Sequence, residues 1–136
     1  MKQRREVRAV IYDKLDNEKL VLLIKNFQIT TLSPQWRLLK GGMQKNETEE
    51  QALRRECYEE LGLEDLKILG KIRNVRFYTG DVEHFTASYR VRADSRKPIR
   101  YNSREVAGYH WFKLRDSIRK LSIKDEIADV KTLSYL

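Results

Sequence analysis

The sequence predicts an α+β fold in which a mixed central β-sheet is flanked by helices, forming an α/β/α sandwich. Side chains from Val82 to Ala93 alternate between apolar and polar, which is the period of a half-buried strand. Residues 47–61 contain no Gly or Pro and place Leu53, Cys57 and Leu61 on one apolar stripe, the period of an amphipathic helix. Between and around these two segments, the chain reads β-β-β-α-β-β-β-α.

Three strands are predicted before the helix. Residues 5–12 alternate weakly, and the Asp and Asn residues in 13–19 indicate a turn. Residues 20–25 are almost continuously apolar, which suits the centre of a sheet. We predict a loop over 26–35 and a short strand over 36–40.

After the helix, residues 66–78 are predicted to form one or two extended segments, broken near Gly70. A strand over 82–93, a polar loop over 94–103, a strand over 108–113 and one or two helices over 116–136 follow. We find no internal repeat or linker. The chain is therefore predicted to be a single domain, residues 1–136, of a size that can bury its own core.

The composition indicates an anionic ligand. The net charge is +8, from 28 Lys and Arg against 20 Asp and Glu. This charge fits a polyanionic ligand or a loose attraction to RNA. Ion pairing in a heat-adapted protein would explain the same composition.

Compartment signals are few. The single cysteine excludes an intramolecular disulfide framework and indicates a reducing cytoplasm. The basic start, Met1 to Arg5, is followed by no apolar h-region, so we expect no signal peptide. The longest aliphatic run, Leu20 to Ile24, is too short to span a membrane.

The predicted helix carries a cluster of carboxylates. Glu56, Glu59 and Glu60 are spaced i, i+3, i+4, so they converge on one flank. Such carboxylates raise one another's pKa unless a cation neutralises them, and hard oxygen ligands suit Mg²⁺ or Mn²⁺. A solvated acidic face is the alternative. The Gly41-Gly42 pair before the helix favours the metal site, because it lets backbone approach a phosphate closely.

The sequence also contains signals for both ends of this helix. Asn46 or Thr48 can cap its start, with Glu49 or Gln51 completing a capping box. Gly62 supplies the C-terminal stop.

Residues 41–63 resemble the Nudix box, G-x5-E-x7-R-E-U-x-E-E-x-G-U, where U is a bulky apolar residue. The matching residues are Gly41, Glu47, Arg55, Glu56, Glu59, Glu60, Gly62 and Leu63, with Cys57 as a small residue at the first U. The chain is similar to MutT-like Nudix hydrolases, and among them to the diadenosine tetraphosphate (Ap4A) hydrolases. Two positions depart from many relatives: Leu39 replaces a Pro, and Asn46 replaces a Gly.

The resemblance implies the Nudix fold over the whole chain and a set of site residues. Glu56, Glu59, Glu60 and the backbone carbonyl of Gly41 would hold two or three Mg²⁺ or Mn²⁺ ions with the substrate. The family also assigns the residue matching Glu56 as a general base in some members. Arg55 and Glu47 would pair and hold the loop against the helix, and Gly62 completes the structural part of the box.

Further candidates lie outside the box. Lys40 stands where relatives use a lysine on substrate phosphate; a solvent-facing strand end is the alternative. Glu105 stands four residues before a Tyr109-x-Trp111 strand, as in Ap4A hydrolases, where the glutamate is a metal ligand or general base. The alternative for Glu105 is a surface ion pair beside Arg104.

Aromatic and basic residues are candidates for substrate contacts. Tyr109 and Tyr78, with Phe77, offer flat faces for a nucleobase, although such rings are often core residues. Arg73, with Arg76, could contact distal phosphates, although an exposed strand face explains them equally well. His84, His110 and Cys57 are predicted to be structural.

The resemblance implies a Mg²⁺-dependent pyrophosphohydrolase that cleaves a phosphoanhydride bond in a nucleoside polyphosphate. An Ap4A-like substrate is favoured by Trp36 before the Leu38–Gly41 run and by the Glu105–Trp111 segment. Alternatives are an RNA 5′-end pyrophosphohydrolase, a nucleoside triphosphate pyrophosphatase and an ADP-ribose pyrophosphatase. A non-catalytic nucleotide- or RNA-binding module is disfavoured because all box glutamates are present. We expect a monomer or homodimer with no membrane association.

Overall fold

A computed structural model describes residues 1–26 and 35–136, so most of the loop predicted over 26–35 lies outside the described residues. The strands are β1 (Lys2–Leu15), β2 (Glu18–Asn26), β3 (Gln35–Arg37), β4 (Leu39–Gly42), β5 (Lys67–Thr79), β6 (Val82–Arg92) and β7 (Val106–Lys113). The helices are α1 (Glu49–Leu61), α2 (Leu114–Lys120) and α3 (Lys124–Lys131), and a 3-10 turn covers Thr132–Tyr135.

The seven strands of the described residues belong to one mixed sheet. The central path runs β3-β2-β1-β6-β5, with β4 paired to β1 and β7 paired to β2. β6 runs parallel to β1 along its whole length, whereas every other pair is antiparallel. The predicted break near Gly70 is a bulge inside the continuous strand β5, at which the register with β6 shifts.

The prediction of one strand over 36–40 was wrong, because the structure forms two. β1 and β2 pair only near their hairpin, at residues 12–15 and 18–21, and then separate. The returning chain fills the gap by pairing first with β2, as β3, and then with β1, as β4. Leu38 stands at this switch and belongs to neither strand.

Helices cover both faces of the sheet, so the predicted sandwich is confirmed. Val7, Ala9 and Ile11 of β1 pack in one core with the apolar stripe of α1. Val10 and Tyr12, the alternate residues of the same strand, pack in a second core with α2 and α3. Among the described residues, no helix is long and apolar enough to cross a membrane.

The ends of α1 follow the expected signals. Thr48 is the N-cap, and its side chain and that of Gln51 form a reciprocal capping box. Gly62 ends the helix in the left-handed conformation, with φ at 66°, and its N–H donates to Tyr58 O at 2.9 Å. Asn46 also has a φ of 66°, which asparagine tolerates better than most residues.

We predict that Gly62→Ala destabilises the protein more than Gly80→Ala. Both glycines have positive φ, 66° and 59°, so either alanine incurs about 1 kcal/mol of left-handed strain. A Cβ at Gly62 would also lie 3.2 Å from Arg100 Cβ, whereas a Cβ at Gly80 would meet nothing within 4 Å. Urea unfolding of both variants measures the difference. Equal losses would show that the loop at Arg100 yields without cost.

Candidate active site

The C-terminal half of α1 lies directly against strand β4. Gly41 pairs with Val7 of β1, so it faces the same side of the sheet as α1. The Glu56 carboxyl group occupies the space where a side chain of residue 41 would begin, because a Cβ built on Gly41 overlaps that group. Only glycine fits here, and the backbone of Gly41 therefore lies beside a carboxylate that is largely buried.

Arg55 connects the loop before α1 to the helix itself. Its Nε donates to Glu47 Oε2 at 2.6 Å and its Nη2 donates to Glu47 Oε1 at 3.0 Å. The same guanidinium donates to Gly42 O at 2.8 Å, to Glu56 at 2.8 Å and to Glu59 at 3.1 Å. The hydrogen bond from Arg55 lowers the pKa of Glu47, so this carboxylate stays charged. One planar cation thus holds three carboxylates and a backbone carbonyl in place.

Glu60 is surrounded by carboxyl groups. Burial, together with the neighbouring charges of Glu56 and Glu105, raises the pKa of Glu60 to about 8. Both of these carboxyl groups lie within hydrogen-bond contact of Glu60. Burial also raises the pKa of Glu56, against the opposing effect of Arg55. Glu60 therefore retains a proton near neutral pH, and a divalent cation could take the place of that proton.

Backbone hydrogen bonds bring Glu105 to this position. Arg100 N–H donates to Leu61 O at 3.0 Å and Asn102 N–H donates to Glu60 O at 2.9 Å, which satisfies carbonyls at the end of α1. Glu105 N–H then donates to Asn102 O at 3.0 Å. The loop before β7 is therefore anchored to the helix that carries the other carboxylates.

Glu59 points elsewhere. Its side chain is 53% exposed and is paired with Arg55 one turn back along the helix. Within the two described ranges, no three His, Cys, Asp or Glu side chains already stand in an arrangement that could hold an ion. Glu56, Glu60 and Glu105 are together, and their oxygen donors beside the Gly41 backbone match the chemistry that Mg²⁺ or Mn²⁺ requires.

An aromatic pair lies near the same loop. Tyr109 pairs with Ile24 in the sheet, so it faces the α1 side. Its ring centroid lies 5.9 Å from that of Tyr101 at an interplanar angle of 65°, and the two residues are 37% and 40% exposed. Sequence reasoning missed Tyr101, because a tyrosine in a polar loop carries no periodic signal.

Lys40 lies on the opposite face of the sheet from Glu56. It pairs with Arg8, whose side chain reaches α3. The Lys40 ammonium lies 3.7 Å from Glu6 and 5.4 Å from the centroid of the Phe77 ring. Burial lowers the pKa of Lys40. We therefore do not assign it a substrate phosphate.

Two other predicted substrate contacts have structural partners. Arg73 donates to Asp129 at 2.7 Å and to the backbone carbonyl of Asp125 at 2.6 Å, both on α3. Tyr78 donates to Glu83 at 2.8 Å in the β5–β6 hairpin. Neither lies on the loop or helix that carries the carboxylates, so the contacts of both residues are those of the fold.

The histidines and the cysteine also have structural surroundings. His84 bridges Glu6 at 2.7 Å and Thr79 at 2.6 Å and stacks on Phe77. His110 packs against a neighbouring aromatic ring of its own strand. Cys57 is fully buried in the core, and burial raises the pKa of its thiol to about 12, so it is unreactive.

Comparison with known proteins places these features in context. A family model described as the NUDIX domain matches residues 2–134. A Caenorhabditis elegans Ap4A hydrolase binary complex is similar with a TM-score of 0.82, at 20% identity over 97% of this chain and 96% of that chain. The NUDIX domain of Shewanella oneidensis NrtR complexed with ADP ribose gives 0.78, at 18% identity over 99% and 88%.

A third structure extends the comparison. The Escherichia coli dihydroneopterin triphosphate pyrophosphohydrolase gives a TM-score of 0.75, at 16% identity over 97% of both chains. No curated protein sequence gave a significant match. At these identities the solved structures establish a shared fold.

We predict that the metal-free protein loses stability as pH rises toward about 8. Unfolded Glu60 releases its proton near its ordinary pKa of 4.5, whereas folded Glu60 keeps it until about 8. The folded state therefore binds more protons across this window, and the free energy of unfolding falls as pH rises. Melting temperatures measured with a chelator between about pH 5 and about pH 9 should decrease by several degrees.

Two variants make this test specific. Glu60→Gln removes the titrating group, so its melting temperature should depend less on pH. Glu50→Gln changes an exposed carboxylate in the first turn of the same helix and should retain the wild-type dependence. A wild-type melting temperature that stays constant over the window would contradict the raised pKa of Glu60.

Proposed function

The chain belongs to the NUDIX domain family and is an enzyme of the pyrophosphohydrolase class. On that premise, we propose that it uses Mg²⁺ to cleave a phosphoanhydride bond in a nucleoside polyphosphate. An Ap4A-like substrate is favoured. One observation carries the proposal: the carboxyl groups of Glu56, Glu60 and Glu105 meet at the end of α1 beside a glycine backbone. The protein is basic overall but brings several carboxyl groups together at one point, where bound divalent cations would neutralise their charge.

The chain offers a defined set of donors for these ions. Glu56, Glu59, Glu60 and the Gly41 carbonyl would hold two or three Mg²⁺ or Mn²⁺ ions together with substrate phosphates. When bound, the ions would offset phosphate charge and lower the pKa of the attacking water. Glu59 is exposed and contacts Arg55 at one carboxylate oxygen, so it can turn toward an ion without losing buried contacts.

We assign the general base to Glu105. This residue lies in an exposed loop that is anchored to α1, so its carboxylate can reach a water from solvent. Glu56 is 9% exposed and accepts a hydrogen bond from Arg55, which stabilises its charged form and suits a ligand better than a base. Glu105 would take the proton as the water oxygen attacks phosphorus, while the bridging P–O bond breaks and its electron pair leaves with the departing phosphate group.

Arg55, Glu47 and Gly62 position this group rather than contact substrate. The bidentate pair between Arg55 and Glu47 fixes the loop that follows β4, and the Arg55 contact to Gly42 O fixes the strand end. Gly62 turns the chain at the end of α1, where the loop that carries Glu105 is anchored.

Tyr109 and Tyr101 supply the proposed base-binding surface. Both rings are partly exposed; Tyr109 faces the α1 side, and Tyr101 packs on it from the loop that ends in Glu105. Their edge-on packing leaves ring faces on which a purine can stack, and stacking is tolerant of base identity. This fits a substrate in which phosphates reach the carboxylates while the base stays near the surface.

The 5′ end of an RNA is the second candidate substrate. The observation that favours it is the net charge of +8, which exceeds what one small nucleotide requires. Nucleoside triphosphates and ADP-ribose follow as further alternatives. Retention of every box glutamate argues against a binding module without catalysis.

A panel of substrates tests the proposal. Ap4A, ATP, dGTP, ADP-ribose and triphosphorylated RNA are incubated with Mg²⁺ or Mn²⁺, and released nucleotide or phosphate is measured. We expect Ap4A to have the highest kcat/KM, and Glu56→Gln to lower it by at least about 100-fold. Glu50→Gln on the same helix should retain activity.

The outcomes separate the candidates. Preference for triphosphorylated RNA would select the second candidate substrate. If none of the five compounds is turned over in the presence of Mg²⁺ or Mn²⁺, the proposed function is contradicted.

We also predict that Tyr109→Ala raises KM for the preferred nucleotide by about tenfold, because a base–aromatic stack contributes about 1–3 kcal/mol. The kcat should change little, since the ring does not contact the phosphates. Tyr78→Ala is the matched control, because Tyr78 is also an exposed strand tyrosine but is bonded to Glu83. Equal KM values for the two variants would remove Tyr109 from the substrate site.

A further inference from the structure

A buried carboxylate on α3 binds the chain where β3 changes into β4. Glu126 is 0% exposed. Its Oε1 accepts a hydrogen bond from Leu38 N–H at 2.9 Å, and its Oε2 accepts one from Arg37 Nε at 2.7 Å. Leu38 is itself fully buried, and its N–H lies outside both strand ladders. Glu126 therefore satisfies a backbone donor that the sheet leaves open.

The strand switch sets the register of β4. Leu39 pairs with Ala9 and Gly41 with Val7, and these side chains face α1. A slip of one residue would move every side chain of β4 to the other face. In one direction Lys40 would replace Gly41 against the Glu56 carboxyl group, where no Cβ fits. In the other direction Lys40 would replace Leu39 in the apolar core.

We propose that Glu126 is a positioning residue for the active site, acting from the opposite face of the sheet. By holding Leu38 and Arg37, it fixes the register that puts the Gly41 backbone beside Glu56. This inference rests on the proposed function, because it assigns Gly41 and Glu56 to the metal-binding group. Glu126 itself contacts no substrate.

Asp129 on the same helix provides a matched control. It is also 0% exposed, and it pairs with two arginines, with Arg8 at 3.0 Å and Arg73 at 2.7 Å. Its arginine partners lie on β1 and β5, and it accepts no hydrogen bond from the β3–β4 switch. Neutralising either carboxylate disturbs a buried ion pair, but of the two only Glu126 accepts hydrogen bonds from the strand switch that precedes β4.

The test compares Glu126→Gln with Asp129→Asn by melting temperature, kcat, KM, Mn²⁺ affinity and amide hydrogen exchange at residues 38–42. Both variants should lose thermal stability. Glu126→Gln should lower kcat by about tenfold, weaken Mn²⁺ binding several-fold and speed exchange at residues 38–42, because displacement of a catalytic group by a fraction of an ångström is costly. Asp129→Asn should keep kcat and Mn²⁺ affinity within about twofold of wild type.

Two results would overturn the inference: equal effects of both variants on kcat and Mn²⁺ affinity, or no effect of Glu126→Gln beyond stability. If Glu126→Gln does not fold, Arg37→Lys replaces it, because it keeps the charge but loses the guanidinium geometry. It should shift Mn²⁺ affinity in the same direction by a smaller factor, and an unchanged affinity would overturn the inference. Mn²⁺ binding separates this inference from the proposed function, since a shift without turnover of any substrate would contradict the function alone.

Discussion

The contact between the Glu56 carboxyl group and the Gly41 backbone is the constraint on which the rest of the site depends. It requires α1 to approach β4 so closely that residue 41 can carry no side chain. It also requires β4 to present position 41, and neither neighbour, to the helix. Arg55 then holds both sides of this contact, because it donates to Glu56 on the helix and to Gly42 O on the strand.

The two faces of the sheet treat charge differently. On the α3 face, buried carboxylates are matched by arginines, as in the pairs of Glu126 with Arg37 and Asp129 with Arg8. The carboxylate oxygens of these pairs accept hydrogen bonds from Arg8, Arg37 and the Leu38 N–H, which offsets part of the cost of burying them. Among the described residues, the buried Arg8 Nε has no hydrogen-bond partner. On the α1 face, Glu60 meets carboxyl groups instead, and its pKa rises. On the α3 face, the paired charges stabilise the fold. On the α1 face, the clustered carboxyl groups favour the binding of cations.

Local features of the molecule could be predicted from the sequence, whereas long-range contacts could not. The stop at Gly62 and the apolar stripe of Leu53, Cys57 and Leu61 were predicted correctly because they are local patterns. The N-cap was narrowed to Asn46 or Thr48, and the structure shows Thr48. The ion pair of Arg73 could not be predicted from the sequence, because its partner Asp129 is 56 residues away along the chain. The split of one predicted strand into β3 and β4 was missed for a similar reason. It arises from the divergence of β1 and β2, which no stretch of residues encodes alone.

The sequence by itself determined the sandwich, the extent of the central helix and the membership of Glu56, Glu59 and Glu60 in one acidic helix flank. These follow from helical and strand periods, which operate over a few residues. Only the tertiary structure showed that Glu105 contacts Glu60, that Tyr101 packs against Tyr109, that Lys40 faces away from Glu56, and that Glu126 accepts a hydrogen bond at the strand switch. Those placements depend on contacts between residues that are distant along the chain. For Lys40, a change of one residue in the register of β4 would also reverse the face of the sheet that it occupies.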